Sequence, residues 1–206
     1  MTLVAPLVEG VALGLGYAAP IGVQNVFVIR SSAAAPGRGY LRVALVVAAM
    51  DISLGMCCLF GVGAVFTSVP VVPLIVLWAG VGYLSWLALR LLGETRVRGV
   101  DDADGTVLTW SYLVRTAFML TWFNPQAIAD GSLLLGAYRT GLEGNEITAF
   151  AIGIACASMG WFLTLSTMIG LLRRWLRPRA FFWIDKGCAV LLLLLAARLA
   201  WKAVTG

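Results

Sequence analysis

Two aspartates, Asp51 and Asp130, are each the only charged residue of a long apolar segment. Asp51 lies within residues 43–66 and Asp130 within residues 116–138. A charge at the centre of a bilayer costs about 2.5–3.5 kcal/mol on insertion scales, and such residues usually face a partner or a cavity. We therefore expect the two carboxylates to share a cavity and to serve a substrate or proton pathway. The alternative is a structural pair that joins helices through buried hydrogen bonds.

Two short motifs place prolines and amides inside apolar segments. The first runs from Pro20 to Asn25 and reads PIGVQN, and the second runs from Thr121 to Gln126 and reads TWFNPQ. A proline removes a helical hydrogen bond and kinks or breaks the helix. When the two prolines are aligned, Asn25 falls opposite Asp130, five residues further on in each motif. The motifs predict interruptions at corresponding places in two helices, with ordinary proline kinks as the alternative.

An interrupted helix offers binding groups to a small ligand. The second half of such a helix begins with free backbone N–H groups, and these groups and the helix dipole attract a carboxylate. Gly22 lets a ligand approach the backbone closely, and amide side chains add neutral hydrogen-bonding groups. Trp122 is a further candidate for the wall of the cavity, with core packing as its alternative. The predicted substrate site comprises Pro20, Gly22, Gln24, Asn25, Trp122, Asn124, Pro125 and Asp130.

The composition indicates a single integral membrane domain over residues 1–206. The chain is 61% hydrophobic and 12% charged, with a mean hydropathy of +0.93, whereas soluble domains contain about 25% charged residues. The net charge is +5, but most of the basic residues lie in short loops between apolar segments, so we expect no nucleic acid to bind. The chain has no histidine, which removes the usual imidazole proton shuttle and the commonest metal ligand.

Six segments are long and apolar enough to span a membrane, which takes about 20 residues. They cover residues 3–29, 43–66, 69–92, 116–138, 147–172 and 180–204, and the first is too long for a cleaved signal peptide. The first, third and fifth loop regions hold twelve of the fifteen basic residues. This distribution predicts that those loops are cytoplasmic and that both termini lie outside.

A polar linker, residues 93–110, divides the chain into residues 1–92 and 111–206. Each half contains three predicted helices, and an odd number makes the halves face opposite ways in the membrane, as in many secondary transporters. We therefore predict an all-α integral membrane protein with six transmembrane helices. They would form two inverted three-helix repeats with discontinuous first and fourth helices.

Both motifs resemble those of the LysE family of amino-acid exporters, which includes the lysine and arginine exporters of bacteria. The family's first motif is of the type Pro-Ile-Gly-Pro-Gln-Asn, so this chain differs by having Val23 where proline is usual. Its second motif, Thr-Trp-Leu-Asn-Pro with an aspartate five residues after the proline, is similar to the segment that ends at Asp130. Asp51 matches an aspartate of the family's second helix. Asp130 favours the branch that exports basic amino acids over the neutral amino-acid exporters, which the chain also resembles.

The resemblance implies a secondary active exporter of lysine or arginine in the bacterial cytoplasmic (inner) membrane. It also implies proton antiport by alternating access. Asp130, with Asp51 as the second candidate, would pair with the cation of the substrate, and the same acids would carry protons, with Glu9 as a weaker candidate. The expected partners are the amino acid, protons and the lipid bilayer, without a cofactor or metal. A homo-oligomer is compatible with the sequence.

Other functions remain open at the level of the sequence. Export of neutral amino acids or other small metabolites is the main alternative, and the adjacent Cys57 and Cys58 leave open a soft-metal exporter, although cysteines in apolar segments more commonly act as small hydrophobic residues. A membrane enzyme is a further class, but HExxH and GxSxG motifs are absent from the sequence. An aspartyl dyad of Asp51 and Asp130 is conceivable, although the motif context of intramembrane aspartyl proteases is missing. A structural or chaperoning subunit would tolerate replacement of both acids.

Overall fold

The computed structural model describes residues 3–20, 22–61, 71–93, 109–139, 141–172 and 178–205, and all regular structure within these ranges is helical. A π-helical turn, Ser132–Gly136, joins the sixth and seventh α-helices. In chain order the α-helices are α1 (Val4–Ala18), α2 (Val23–Ala34), α3 (Gly39–Phe60), α4 (Val71–Gly93), α5 (Trp110–Trp122), α6 (Pro125–Gly131), α7 (Ala137–Arg139), α8 (Asn145–Leu172) and α9 (Pro178–Thr205).

The helices agree with the predicted membrane class. Among the described residues, α3 and α8 are each long and apolar enough to cross a membrane, and α1 with α2 adds a third span if the bent pair is counted as one. The prediction of six spans in two inverted repeats goes beyond these findings and stays a prediction. Residues 94–108 of the predicted linker lie outside the described part of the chain.

The first predicted interruption separates α1 from α2, whose axes are bent by 79°. Helix α1 ends at Ala18 because Pro20 cannot continue its hydrogen bonds. Gly22 precedes α2 with an extended backbone, at φ −124° and ψ −171°. Asn25 compensates for the interruption, since its Nδ2 donates to the carbonyl oxygens of Ala18 at 3.2 Å and Pro20 at 2.7 Å.

The second predicted interruption separates α5 from α6. Helix α5 ends at Trp122, and Pro125 is the first residue of α6, the position at which proline is best tolerated. Asn124 caps the new helix, because its Oδ1 accepts hydrogen bonds from the backbone N–H groups of Gln126 at 3.2 Å and Ala127 at 3.4 Å. Both interruptions therefore occur at the motifs that predicted them, and each is stabilised by an asparagine.

The main helix contacts join elements from opposite sides of the linker. Helix α1 packs mainly against α8, α4 against α9, and α3 against both α8 and α5. Glycines allow the closest of these contacts, as is common between membrane helices. A Cβ atom on Gly153 of α8 would lie 2.8 Å from the backbone nitrogen of Val11 and 2.9 Å from the Cα of Gly10 in α1.

We predict that Gly153→Ala loosens the α1–α8 contact, because the added methyl group meets backbone atoms that cannot rotate away. Overpacking of this kind costs about 1–3 kcal/mol. The midpoint of thermal unfolding of the detergent-solubilised protein, followed by size-exclusion chromatography after heating, should fall by several degrees.

The matched control is Gly160→Ala on the same helix, where an added Cβ has no heavy atom within 4 Å. This variant should unfold at or above the wild-type midpoint. Equal midpoints for the two variants would show that the glycine contact does not limit stability.

Candidate functional site

A cavity of about 220 Å³ lies where the two interruptions meet. Its walls come mainly from the last turn of α1, the start of α2, the short helix α6 and the C-terminal part of α9. The lining residues are Gly16, Tyr17, Ala18, Pro20, Gly22, Val23, Gln24, Asn25, Asn124, Gln126, Ala127, Asp130, Leu134, Leu195 and Arg198. Six of the eight predicted substrate-site residues are among them, namely Pro20, Gly22, Gln24, Asn25, Asn124 and Asp130.

The other two predicted site residues lie in the protein interior beside the cavity. Pro125 is buried as the first residue of α6. Trp122 is half-buried and packs against an apolar cluster that includes Leu54 and Ile128. Its ring also stacks on Phe118, with ring centroids 6.0 Å apart. These contacts are those of the core-packing alternative, and the role of Trp122 in substrate binding stays a prediction.

Asp130 is the acidic residue of the cavity wall. Its carboxylate accepts hydrogen bonds from the Nε2 of Gln126, at 3.1 Å to Oδ1 and 2.9 Å to Oδ2. The two residues are four apart on α6, so both side chains project from the same face of the helix. Arg198 of α9 lines the same cavity. The cavity thus contains one acidic and one basic side chain among neutral amides.

Asp51 lies behind the cavity wall and is almost completely buried, with 1% of its surface exposed. Its Oδ2 accepts a hydrogen bond from the Oγ of Ser158 in α8 at 2.7 Å. Its Oδ1 is buried and has no hydrogen-bond partner among the described residues. Gln24 and Tyr17, which line the cavity, are neighbours of Asp51. The two acids are therefore close to one region, but only Asp130 reaches the cavity surface.

The two amides of the first motif already make strong contacts within the protein. The Nε2 of Gln24 donates to the Oγ1 of Thr121 at 2.7 Å and so connects α2 with α5. Asn25 uses both amide hydrogens on carbonyl oxygens of the first interruption, and its Oδ1 accepts from the Nε1 of Trp161 at 3.0 Å. Asn25 consequently holds the interruption in shape, and it has little capacity left for a ligand.

The N-termini of the two half-helices differ in their free N–H groups. No side chain caps α2, which begins after Gly22, so its first backbone N–H groups are available at the cavity wall. In α6, the side chain of Asn124 accepts hydrogen bonds from two of the corresponding N–H groups. Because an uncapped helix N-terminus attracts anions, the start of α2 is the better place for a carboxylate.

Sequence reasoning did not single out several residues that the structure brings to this region. Gln126 could have been found, because it lies one helical turn before Asp130. Arg198 could also have been found, as the only charge between residues 187 and 200. Thr121 begins the second motif but was not among the predicted site residues. Tyr17 and Ser158 had no comparable signal, since their positions depend on which faces of distant helices meet.

The described residues do not assemble a metal site. Within these ranges, no group of three or more histidine, cysteine, aspartate or glutamate side chains could hold a metal ion. Cys58 is buried, and its Sγ lies 3.9 Å from the carbonyl oxygen of Ile128, whereas Cys57 is only half-buried. The adjacent cysteines therefore differ in environment.

A family model described as LysE type translocator matches residues 15–203, which is most of the chain. The chain belongs to the LysE family. The resemblance that the two motifs indicated is therefore confirmed, and with it the membership of this protein in a family of transporters.

Relatives of this LysE-family protein include several arginine exporters. The arginine exporter protein ArgO of Serratia proteamaculans is 30% identical over 206 residues, which cover 98% of this chain and 100% of the relative. The ArgO proteins of Salmonella paratyphi B and Klebsiella pneumoniae are each 31% identical over 174 residues, or 83% of this chain and 79% of the relative. No solved structure matches the chain.

We predict that Asn25→Leu destabilises the LysE-family fold more than Gln24→Leu does. The first change removes three hydrogen bonds and leaves buried carbonyl groups without a donor, whereas the second removes one. With about 1 kcal/mol for each bond lost, the two variants should differ by about 2 kcal/mol. Unfolding of both purified variants in detergent, followed by tryptophan fluorescence, measures the difference. Equal stabilities would mean that Asn25 does not hold the interruption.

Proposed function

We propose that this LysE-family amino-acid exporter carries basic L-amino acids, lysine or arginine, out of the bacterial cytoplasm by proton antiport. The observation that carries the proposal is the pairing, in one cavity of about 220 Å³, of the Asp130 carboxylate with the uncapped N-terminus of α2. A basic amino acid has a carboxylate and a side-chain cation that complement these two groups. The names of the ArgO relatives point to the same class of substrate.

The carboxylate of the substrate would bind beside Gly22. Free backbone N–H groups at the start of α2 would donate to it, and the positive end of the helix dipole would favour it. Because Gly22 has no side chain, a ligand can approach this backbone closely. The space beside it is open, since among the described residues a Cβ atom on Gly22 would have only the carbonyl oxygen of Pro20, at 3.9 Å, within 4 Å. The amides of Gln24 and Asn124 border the same space.

The side-chain cation of the substrate would bind Asp130. At present the two carboxylate oxygens accept neutral N–H donors from Gln126. A guanidinium or ammonium group would replace them with charge-assisted hydrogen bonds, which are about twice as strong as neutral ones. A neutral amino acid has no side-chain cation for this exchange, and its α-ammonium group lies next to its carboxylate, so Asp130 would favour basic substrates. Arg198 at the cavity wall would add attraction for the carboxylate end of the substrate.

Competition between the substrate cation and a proton for one anionic site, formed by Asp130 and Asp51, would produce antiport. When the cavity faces the cytoplasm, the basic amino acid would bind at Asp130 and displace the proton from this pair of acids. When it faces outward, a proton would displace the substrate. Asp51, one side chain behind the cavity, would be the second proton-carrying group.

Alternating access would rest on six membrane spans in two inverted repeats, residues 1–92 and 111–206 with the linker between. The helix contacts support this arrangement. The proposed symmetry pairs α1 and α2 with α5 and α6, α3 with α8, and α4 with α9. Under this exchange the α1–α8 contact becomes the α5–α3 contact. The α3–α8 and α4–α9 contacts each map onto themselves. An axis in the membrane plane would produce this pattern. The distribution of basic residues supports cytoplasmic odd-numbered loops and external termini.

We predict that Asp130→Asn lowers arginine transport in proteoliposomes at least tenfold, because the amide carries no charge to bind the cation or to exchange a proton. The assay is the flux of labelled arginine driven by an imposed pH gradient. Unlabelled lysine should compete with arginine, whereas alanine and leucine should not.

The matched control is Glu146→Gln, which removes an acid at the start of α8, outside the cavity, and should retain wild-type flux. Full gradient-driven flux in Asp130→Asn would overturn the assignment of Asp130. Effective competition by neutral amino acids would favour the neutral-substrate alternative.

A further inference from the structure

Tyr17 has a buried hydroxyl group with no hydrogen-bond acceptor among the described residues. It lies in the last turn of α1, immediately before the first interruption, and its side chain lines the cavity. The oxygen of its hydroxyl group is inaccessible to solvent and makes no hydrogen bond within the described part of the chain. Buried hydroxyl groups nearly always find a partner, so an exception calls for an explanation.

The titratable groups nearest to Tyr17 lie on the two helices that carry the acids. They are Asp51 and Cys58 of α3 and Asp130 of α6. Gly131 keeps the ring close to α6, because a Cβ there would lie 3.3 Å from the Cε2 of Tyr17. From α9, Arg198 borders the same cavity, and α8 contributes the Ser158 hydroxyl to Asp51.

A buried hydrogen-bond acceptor that has no donor among the described residues lies in the same region. The Oδ1 of Asp51 is also buried and unpartnered among the described residues, whereas Oδ2 is bonded to Ser158. Tyr17 and Asp51 thus have complementary hydrogen-bonding groups that are not joined in this conformation. Asp130, the other acid near Tyr17, accepts hydrogen bonds on both carboxylate oxygens from the Nε2 of Gln126.

We infer that the Tyr17 hydroxyl is a hydrogen-bond donor shared by Asp51 and Asp130, and that it links substrate binding at Asp130 to proton release from Asp51. This inference rests on the proposed function. With no cation bound, the hydroxyl moves from its unbonded position in this conformation to the anionic Asp130. A bound cation neutralises Asp130, and the hydroxyl then donates to the Oδ1 of Asp51.

The proton balance of this step is simple. The hydrogen bond from Tyr17 stabilises the carboxylate form of Asp51, so the O–H bond of the Asp51 carboxyl group breaks and its proton leaves to water in the cavity. Tyr17 keeps its own proton throughout, because it changes only its acceptor. One cation bound at Asp130 therefore releases one proton at Asp51, which makes Tyr17 a positioning residue for the exchange.

The test is a cycle of four purified full-length proteins in detergent: wild type, Tyr17→Phe, Asp51→Asn and the double variant. Titration calorimetry with arginine gives the affinity of each, and repetition in buffers of different ionisation enthalpy gives the number of protons released. A structural role of the ring would not change proton release, because phenylalanine retains the ring.

Wild type should release protons when arginine binds. Tyr17→Phe should lose most of this release and bind arginine about tenfold more weakly, the effect of one hydrogen bond to a charged group. In the Asp51→Asn background, Tyr17→Phe should have little further effect, because the acceptor that it serves has gone. Tyr17→Met, a second variant without a donor, should behave like Tyr17→Phe. Tyr112→Phe, a tyrosine outside the cavity lining, should match wild type.

Two results would overturn the inference. Undiminished proton release in Tyr17→Phe and Tyr17→Met would exclude the coupling, and so would independent, additive effects of Tyr17→Phe and Asp51→Asn on affinity. In either case wild type still binds arginine, and the proposed function stands. Failure of wild type to bind arginine or lysine would instead overturn the proposed function, and this inference with it.

Discussion

The need to satisfy backbone polar groups inside an apolar protein governs the site. Where no water is available, each interrupted helix must find new partners for the N–H and C=O groups that it exposes. Asn25 supplies two donors to carbonyl groups at the first interruption, and the Oδ1 of Asn124 supplies an acceptor for two N–H groups at the second. The cavity depends on these two side chains, because they provide hydrogen-bond partners for backbone groups that lie at the two proline-containing interruptions.

The two asparagines satisfy different backbone groups, since Asn25 donates to carbonyl oxygens and Asn124 accepts from N–H groups. This difference makes the cavity asymmetric. Asn25 satisfies the end of α1 and leaves the start of α2 uncapped. Asn124 caps the start of α6, so the polar character of that wall comes from the side chain of Asp130. One wall therefore offers donors to an anion and the other an acceptor for a cation. In the proposed function, a basic amino acid would bind with its carboxylate at the start of α2 and its side-chain cation at Asp130.

The sequence predicted the local features of the site because these follow from residue types. Pro20 and Pro125 located the interruptions, and six of the predicted substrate residues line the cavity. Contacts between distant helices could not be predicted, because the sequence does not specify which faces meet. Ser158, 107 positions after Asp51, donates to that acid, and Trp122 turns into an apolar cluster. The shared cavity expected for the two acids holds only Asp130 at its surface.

This difference between the acids gives them different access to protons. Asp130 lines the cavity, so a proton or a cation that enters the cavity can reach it. Asp51 has 1% of its surface exposed, and two of its neighbours, Tyr17 and Gln24, line the cavity. In the proposed antiport, a buried acid that responds to events in the cavity without opening to it would limit leakage of protons when no substrate is bound. The different exposure of the two carboxylates would then be a physical basis for coupled exchange.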